Sequence, residues 1–160
     1  MIDSVDRPAV YFDANPFIYY IEGEDHVAEA MDAVFRRLRE RPGLGVTSEL
    51  TLAEVLPKAR TPDHRRQFVN LIVWSGLIRL LPVTRGILVE TADYRRAASW
   101  TRDDGKLAMP KLPDAIHAVS AIRAKCRSIV TNDTRFRLPA GFRQFTTSAN
   151  DIEDLLRTLA

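Results

Sequence analysis

The chain has 160 residues, 46% hydrophobic and 28% charged, which suits one soluble globular domain over residues 1–160 with a sizeable core. A single cysteine, Cys126, excludes an internal disulfide and fits a reducing compartment, and no run approaches the roughly 20 apolar residues of a membrane span. The formal net charge is only +2, yet between Arg85 and Arg143 twelve Lys and Arg stand against six acids, a distribution that suits a site for a polyanion as well as ordinary solvated helix faces.

The opening MIDSVDRPAV carries Asp3 and Asp6 and no apolar centre, so no signal peptide is expected and the cytoplasm is the expected location. A first strand is predicted over 8–12, ending at Asp13. Asn15-Pro16 then reads as a helix cap followed by proline at the first helical position, opening a short helix to Ile21 that Gly23 breaks. Val27, Met31, Val34 and Leu38 recur at helical spacing, which predicts an amphipathic helix over 25–40. LGVT makes a second strand. Ser48 starts a helix that carries Glu54 and stops near Pro57, and Thr61-Pro62 opens another to about Gly76. IRLLPV is the third strand, placed at a sheet edge by Pro82. A helix from Thr84 to about Trp100 precedes a polar loop, TRDDGKLAMPK. Pro113 opens the helix DAIHAVSAIRAKC, SIVT and FRQFT are the last strands, and Asn150 with Glu153 resembles a capping box for a final helix. Strands alternating with helices predict a three-layer α/β/α fold around a central parallel sheet of about five short strands.

Four acids stand where chain reversals gather them at one rim of such a sheet: Asp13 in VYFDANPF, Glu54 in TSELTLAEV, Asp114 in LPDAIHAVSA and Asp133 in IVTNDTRF. Each has an ordinary alternative: a turn residue for Asp13, a solvent-facing helix residue for Glu54, a dipole-favoured first-turn acid for Asp114 and an Asn-Asp turn for Asp133. Taken together they carry more, because ligands bind beyond the carboxyl ends of the strands in open α/β sheets. Hard oxygen donors gathered there suit Mg²⁺ or Mn²⁺ and metal-assisted chemistry on phosphates. His117 lies one turn after Asp114 on the same helix face, positioned for substrate or for a structural bond. No glycine-rich phosphate loop, zinc-ligand spacing or activated nucleophile is visible, which counts against a nucleoside triphosphatase or a zinc enzyme. Tyr94 and Trp100 offer faces on which an unpaired base can stack, against the plainer reading of core or interface packing.

YFDAN, TSELTLAEV, LPDAIHAVSA and IVTNDTRF, in this order over about residues 9–146, resemble the PIN domain and, more narrowly, the VapC-type ribonuclease toxins of toxin–antitoxin systems. The resemblance implies RNA cleavage dependent on Mg²⁺ or Mn²⁺ by a metal-binding quartet of Asp13, Glu54, Asp114 and Asp133. Asn15 matches the family's Asp-x-Asn start and Thr131 its Thr/Ser-x-Asp element. Asn132 beside Asp133 is a second polar group, and the sequence leaves open which of the two reaches a metal.

The same resemblance implies RNA as substrate, a homodimer, and a cognate antitoxin whose inserted Arg or Lys would replace the metal's charge. Helices around 27–38 and 62–76 are the candidate dimer surfaces, and helices containing Phe17, Ile18, Leu52 and Leu56 are the expected apolar groove walls for the antitoxin. Two other classes remain: a PIN-like RNA- or protein-binding module with little or no nuclease activity, and a different doubly wound phosphate enzyme such as a phosphatase. Against the latter, YFDAN lacks the second Asp of an Asp-x-Asp nucleophile motif.

Overall fold

The computed structural model describes residues 10–23, 25–133 and 136–160. Five parallel strands form its sheet: β1 (Val10–Phe12), β2 (Gly45–Ser48), β3 (Arg79–Leu81), β6 (Ser128–Val130) and β7 (Arg143–Phe145), in the order β3-β2-β1-β6-β7. Two further strands, β4 (Trp100–Thr101) and β5 (Leu107–Ala108), pair antiparallel in a separate hairpin. The helices are α1 (Asn15–Glu22), α2 (Asp25–Glu40), α3 (Leu50–Val55), α4 (Pro62–Val69), α5 (Arg85–Ala97), α6 (Leu112–Arg123) and α7 (Ala149–Thr158).

Strand alternation sorts the core into layers, because successive side chains point to opposite faces of a sheet. On one face Val10, Phe12 and Val130 pack with Phe17, Met31, Val34, Phe35, Leu38, Ile152 and Leu155 from α1, α2 and α7. On the other, Tyr11, Val46 and Ile129 pack with Ala121 of α6 and with Cys126 just beyond its end. Ile87 of α5 meets Ile116 and Val119 of α6 in a third cluster. The three-layer expectation is borne out, as is the edge position of β3 before Pro82.

The amphipathic reading of residues 25–40 matches α2, where Met31, Val34 and Leu38 are fully buried. Phe12, Phe17 and Phe35 meet with ring centroids 6.0–6.1 Å apart. Truncating one of these rings to alanine would remove about 3–5 kcal/mol.

Several boundaries differ from the sequence reading. Residues 8 and 9 of the expected first strand lie outside the described residues. Asn15 is the first residue of α1, after Ala14 in helical conformation, and does not cap it. Ser48 ends β2, its hydroxyl accepting the Leu50 amide, so α3 starts two residues later than expected. The helix expected to reach Gly76 passes into a π-helical turn over Asn70–Trp74. α5 stops at Ala97, where the Ala98 amide and the Ser99 amide and hydroxyl all donate to the Arg96 carbonyl.

The expected polar loop after α5 is the β4–β5 hairpin, whose turn centres on Asp103-Asp104 and is closed by the Gly105 amide donating to the Arg102 carbonyl at 2.9 Å, with Gly105 at φ +79°. Glycine suits that position because it takes positive φ without a Cβ clash. The cap of α7 is Ser148, not Asn150: its hydroxyl accepts the Asp151 amide, while the Asp151 carboxylate accepts from Thr146. Phe17 is buried in the core and lines no groove; Ile18, Leu52 and Leu56 are half-buried against the same cluster.

Candidate active site

β1 and β6 are neighbours at the middle of the sheet, with Phe12 opposite Val130. The chain leaves them in opposite directions, β1 towards β2 and β6 towards β7, so their carboxyl ends mark the switch point where a crevice opens. Asp13 follows β1 and extends the ladder by one bond, its amide donating to the Val130 carbonyl at 3.2 Å. Its side chain is only 5% exposed and accepts the Asn15 amide at 2.9 Å.

Burial pushes the Asp13 carboxyl up to about 6. Hydrogen bonds from the Thr131 hydroxyl and the Asn15 amide, and the nearby His117, hold it from rising further, while Glu54 adds to the rise. Thr131 is itself fully buried, and its oxygen also accepts the Asp133 amide at 3.1 Å. One hydroxyl thereby fixes both strand-end acids.

Glu54 comes from α3, which follows β2. Its Oε2 lies 2.6 Å from His117 Nε2, and His117 Nδ1 lies 2.6 Å from the Tyr11 hydroxyl. His117 is 2% exposed and Tyr11 fully buried, the two rings meeting edge-on at 5.7 Å. Burial pushes the Tyr11 phenol well above its ordinary value and Asp13 adds to this, while hydrogen bonds from Ser120 and the Ser48 backbone oppose it. Tyr11 therefore stays protonated, and its hydroxyl and the Glu54 carboxylate hold the two ring nitrogens of His117 between them. His117 belongs to the core and anchors Glu54; it does not present a free edge to substrate.

Asp114 stands in the first turn of α6, after Pro113, and its carboxyl hydrogen-bonds that of Asp133. Burial raises its pKa, Asp133 and Glu54 raise it further, and His117 opposes the rise. Two carboxylates at this range cannot both ionise freely without a counter-charge. Between the two polar groups after β6, Asp133 is the one that faces Asp114. Asn132 turns the other way, its amide exchanging hydrogen bonds with Thr147 at 2.9–3.2 Å.

The structure thus draws Asp13, Glu54, Asp114 and Asp133 from four separate segments into one electrostatically linked group. Among the described residues no three His, Cys, Asp or Glu side chains stand placed to hold one metal ion. The donor chemistry nevertheless fits a hard divalent cation, since all four groups are carboxylates and two of them, Asp114 and Asp133, lie within hydrogen-bonding range of each other. Tyr11 is the participant that inspection of the sequence missed. It reads as an ordinary strand residue, and its partner His117 is 106 positions away.

The PIN domain family model matches residues 10–141. The chain belongs to the PIN domain family. No curated protein matches this PIN domain in sequence. Among solved structures it is similar to a toxin–antitoxin complex from Klebsiella pneumoniae, with 18% identity, TM-score 0.59 and coverage of 84% of this chain and 95% of that one. It is similar also to VapBC2 from Rickettsia felis bound to a promoter DNA fragment, at 13% identity and TM-score 0.61, covering 86% and 98% of the two chains. A third is the VapC20 toxin of Mycobacterium tuberculosis, which cleaves the sarcin-ricin loop, at 13% identity and TM-score 0.58, covering 79% and 91%. At these identities the likeness is one of fold. No helix among the described residues is long and apolar enough to cross a membrane.

Proposed function

We propose that this PIN domain is a Mg²⁺- or Mn²⁺-dependent endoribonuclease and the toxin of a toxin–antitoxin pair, acting in the cytoplasm. The observation that carries this reading is the convergence of four carboxylates at the switch point, with Asp13 buried there at the cost of a raised pKa. Burying a carboxylate costs stability, so an acid held there points to a use in the site. Asp13, Asp114, Asp133 and Glu54 would hold the ion. When bound, it supplies positive charge to the phosphate in the transition state and a more acidic water.

The remaining residues keep the acids in place. Thr131 aligns Asp13 with Asp133, the Asn15 amide orients the Asp13 carboxylate, and His117 fixes Glu54 from the core side. RNA as substrate is supported by the fold shared with a toxin that cleaves the sarcin-ricin loop. An antitoxin partner is supported by the fold shared with VapBC complexes. Its inserted Arg or Lys would find the same carboxylates.

A second reading, a PIN-like binding module without nuclease activity, draws on the fact that no three of the described side chains stand placed to hold one ion. Incubating single-stranded RNA with the protein, with and without EDTA, separates the two. The proposal expects EDTA-sensitive cleavage that Asp13→Asn and Asp114→Asn abolish. Cleavage at the wild-type rate by either variant removes that residue from the site, and no cleavage by the wild type with Mg²⁺ or Mn²⁺ favours the binding module. Expression in growing cells tests the toxin role. Growth arrest that needs Asp13 and is relieved by the product of an adjacent small gene is expected, and harmless expression of active enzyme contradicts it.

A further inference from the structure

Beside the acids lies a cavity of about 350 Å³ whose floor includes Asp114 and Asp133 themselves. Its apolar walls come from Tyr94 of α5, Trp100 of β4, Met109 and Phe136. Lys111 and Arg137 stand at the same cavity. The walls are fixed from behind. The Tyr94 hydroxyl donates to the Arg137 carbonyl at 2.7 Å and accepts the Arg137 amide at 3.2 Å, which ties the segment after β6 to α5. On the other side Arg95 Nε donates to the Pro110 carbonyl at 2.9 Å and ties down the strand that returns from the hairpin.

The hairpin contributes nothing to the main sheet, and its large apolar side chains are left partly in water: Trp100 is 43% exposed and Leu107 62%, with Met109 just after it at 41%. Core packing therefore does not account for the tryptophan at this position.

We infer that this cavity is a nucleobase subsite, in which an unpaired base of the RNA substrate stacks on Trp100 and Phe136 while its flanking phosphates meet Lys111 and Arg137. Single-stranded RNA is read by splaying bases onto aromatic side chains, and basic groups nearby hold the backbone. The volume lies at the low end of the range for small-ligand pockets, the scale of one base, and too small for a docked helix. The carboxylates in its floor would set the scissile phosphate next to the captured base. The subsite rests on the ribonuclease reading and assigns that enzyme its grip on single-stranded substrate.

Binding is measured apart from cleavage, with a labelled single-stranded RNA hexanucleotide on the non-cleaving Asp13→Asn protein, with and without Trp100→Ala. Trp100→Phe is the conservative control. The proposal expects affinity to fall about tenfold or more in the alanine variant and to be largely kept in the phenylalanine one. It further expects one abasic position in the oligonucleotide to weaken binding when Trp100 is present and to have no further effect when it is absent.

Unchanged affinity in Trp100→Ala, or an abasic penalty independent of Trp100, overturns the subsite even if the wild type cleaves RNA. A wild type that does not cleave, together with a coupled abasic penalty, leaves the subsite standing and sinks the nuclease reading. Loss of an antitoxin peptide's binding in Trp100→Ala with RNA affinity intact assigns the cavity to that protein instead, and overturns the inference.

Discussion

Replacing Asp13 by asparagine separates charge from shape at the most buried carboxylate of the site. The amide keeps the volume and still accepts the Asn15 amide proton, so the change is mainly the loss of a titratable charge. The folded pKa is raised, from 3.8 to about 6. The folded state therefore holds this proton more tightly than the unfolded chain, and the associated stability is fully present below about pH 4 and lost as pH rises through about 6. At 1.36 kcal/mol per pH unit, the gap between 3.8 and about 6 corresponds to about 3 kcal/mol as an upper bound.

Urea unfolding of the wild type and Asp13→Asn, in EDTA and from about pH 4 to pH 8, measures the difference directly. The two proteins are expected to be nearly equally stable at the acid end. Above about pH 7 the variant should be more stable by up to about 3 kcal/mol, which for a chain of this length is a melting-temperature rise of roughly 6–12 °C. A gap between the two proteins that does not change with pH, or a variant less stable at pH 8, would refute the claim that burial strains this carboxylate.

Three further outcomes are expected. A double-mutant cycle of Tyr11→Phe and His117→Ala should show coupling on the order of 1 kcal/mol in urea unfolding, since the two share a buried hydrogen bond of 2.6 Å; additive losses would break the Tyr11–His117–Glu54 chain as an energetic unit. Millimolar Mg²⁺ or Mn²⁺ without RNA should raise the wild-type melting temperature by mass action and leave an Asp13→Asn/Asp114→Asn variant unmoved; an equal rise in both would place the ion elsewhere. Light scattering at micromolar concentration should give a mass about twice 18.1 kDa, with Trp74, 75% exposed within the 62–76 candidate surface, as an anchor; a mass near 18 kDa contradicts the dimer.

How much of this was legible in the sequence follows from the range of the forces involved. Hydrophobic periodicity is a local property, so α2 was readable to its ends and the alternation of strands and helices was enough for the layer architecture. Asp13, Asp114 and Asp133 were legible because strand ends and helix starts carry their own punctuation. Caps were less so, since several polar residues compete for each helix start. Ser148 prevailed over Asn150 because the Asp151 carboxylate reaches back to Thr146, a bond that depends on where β7 delivers the chain.

Tertiary structure alone decided which side chains meet. Strand pairing of Phe12 with Val130 set Thr131 between Asp13 and Asp133, and packing of α6 against the sheet joined Tyr11 to His117 across 106 residues. It also turned Asn132 towards Thr147 and Asp133 towards Asp114, a choice no local pattern contains. The raised pKa of Asp13 belongs to the same class. Residue type and spacing are written along the chain, but desolvation is a property of everything that folds over it.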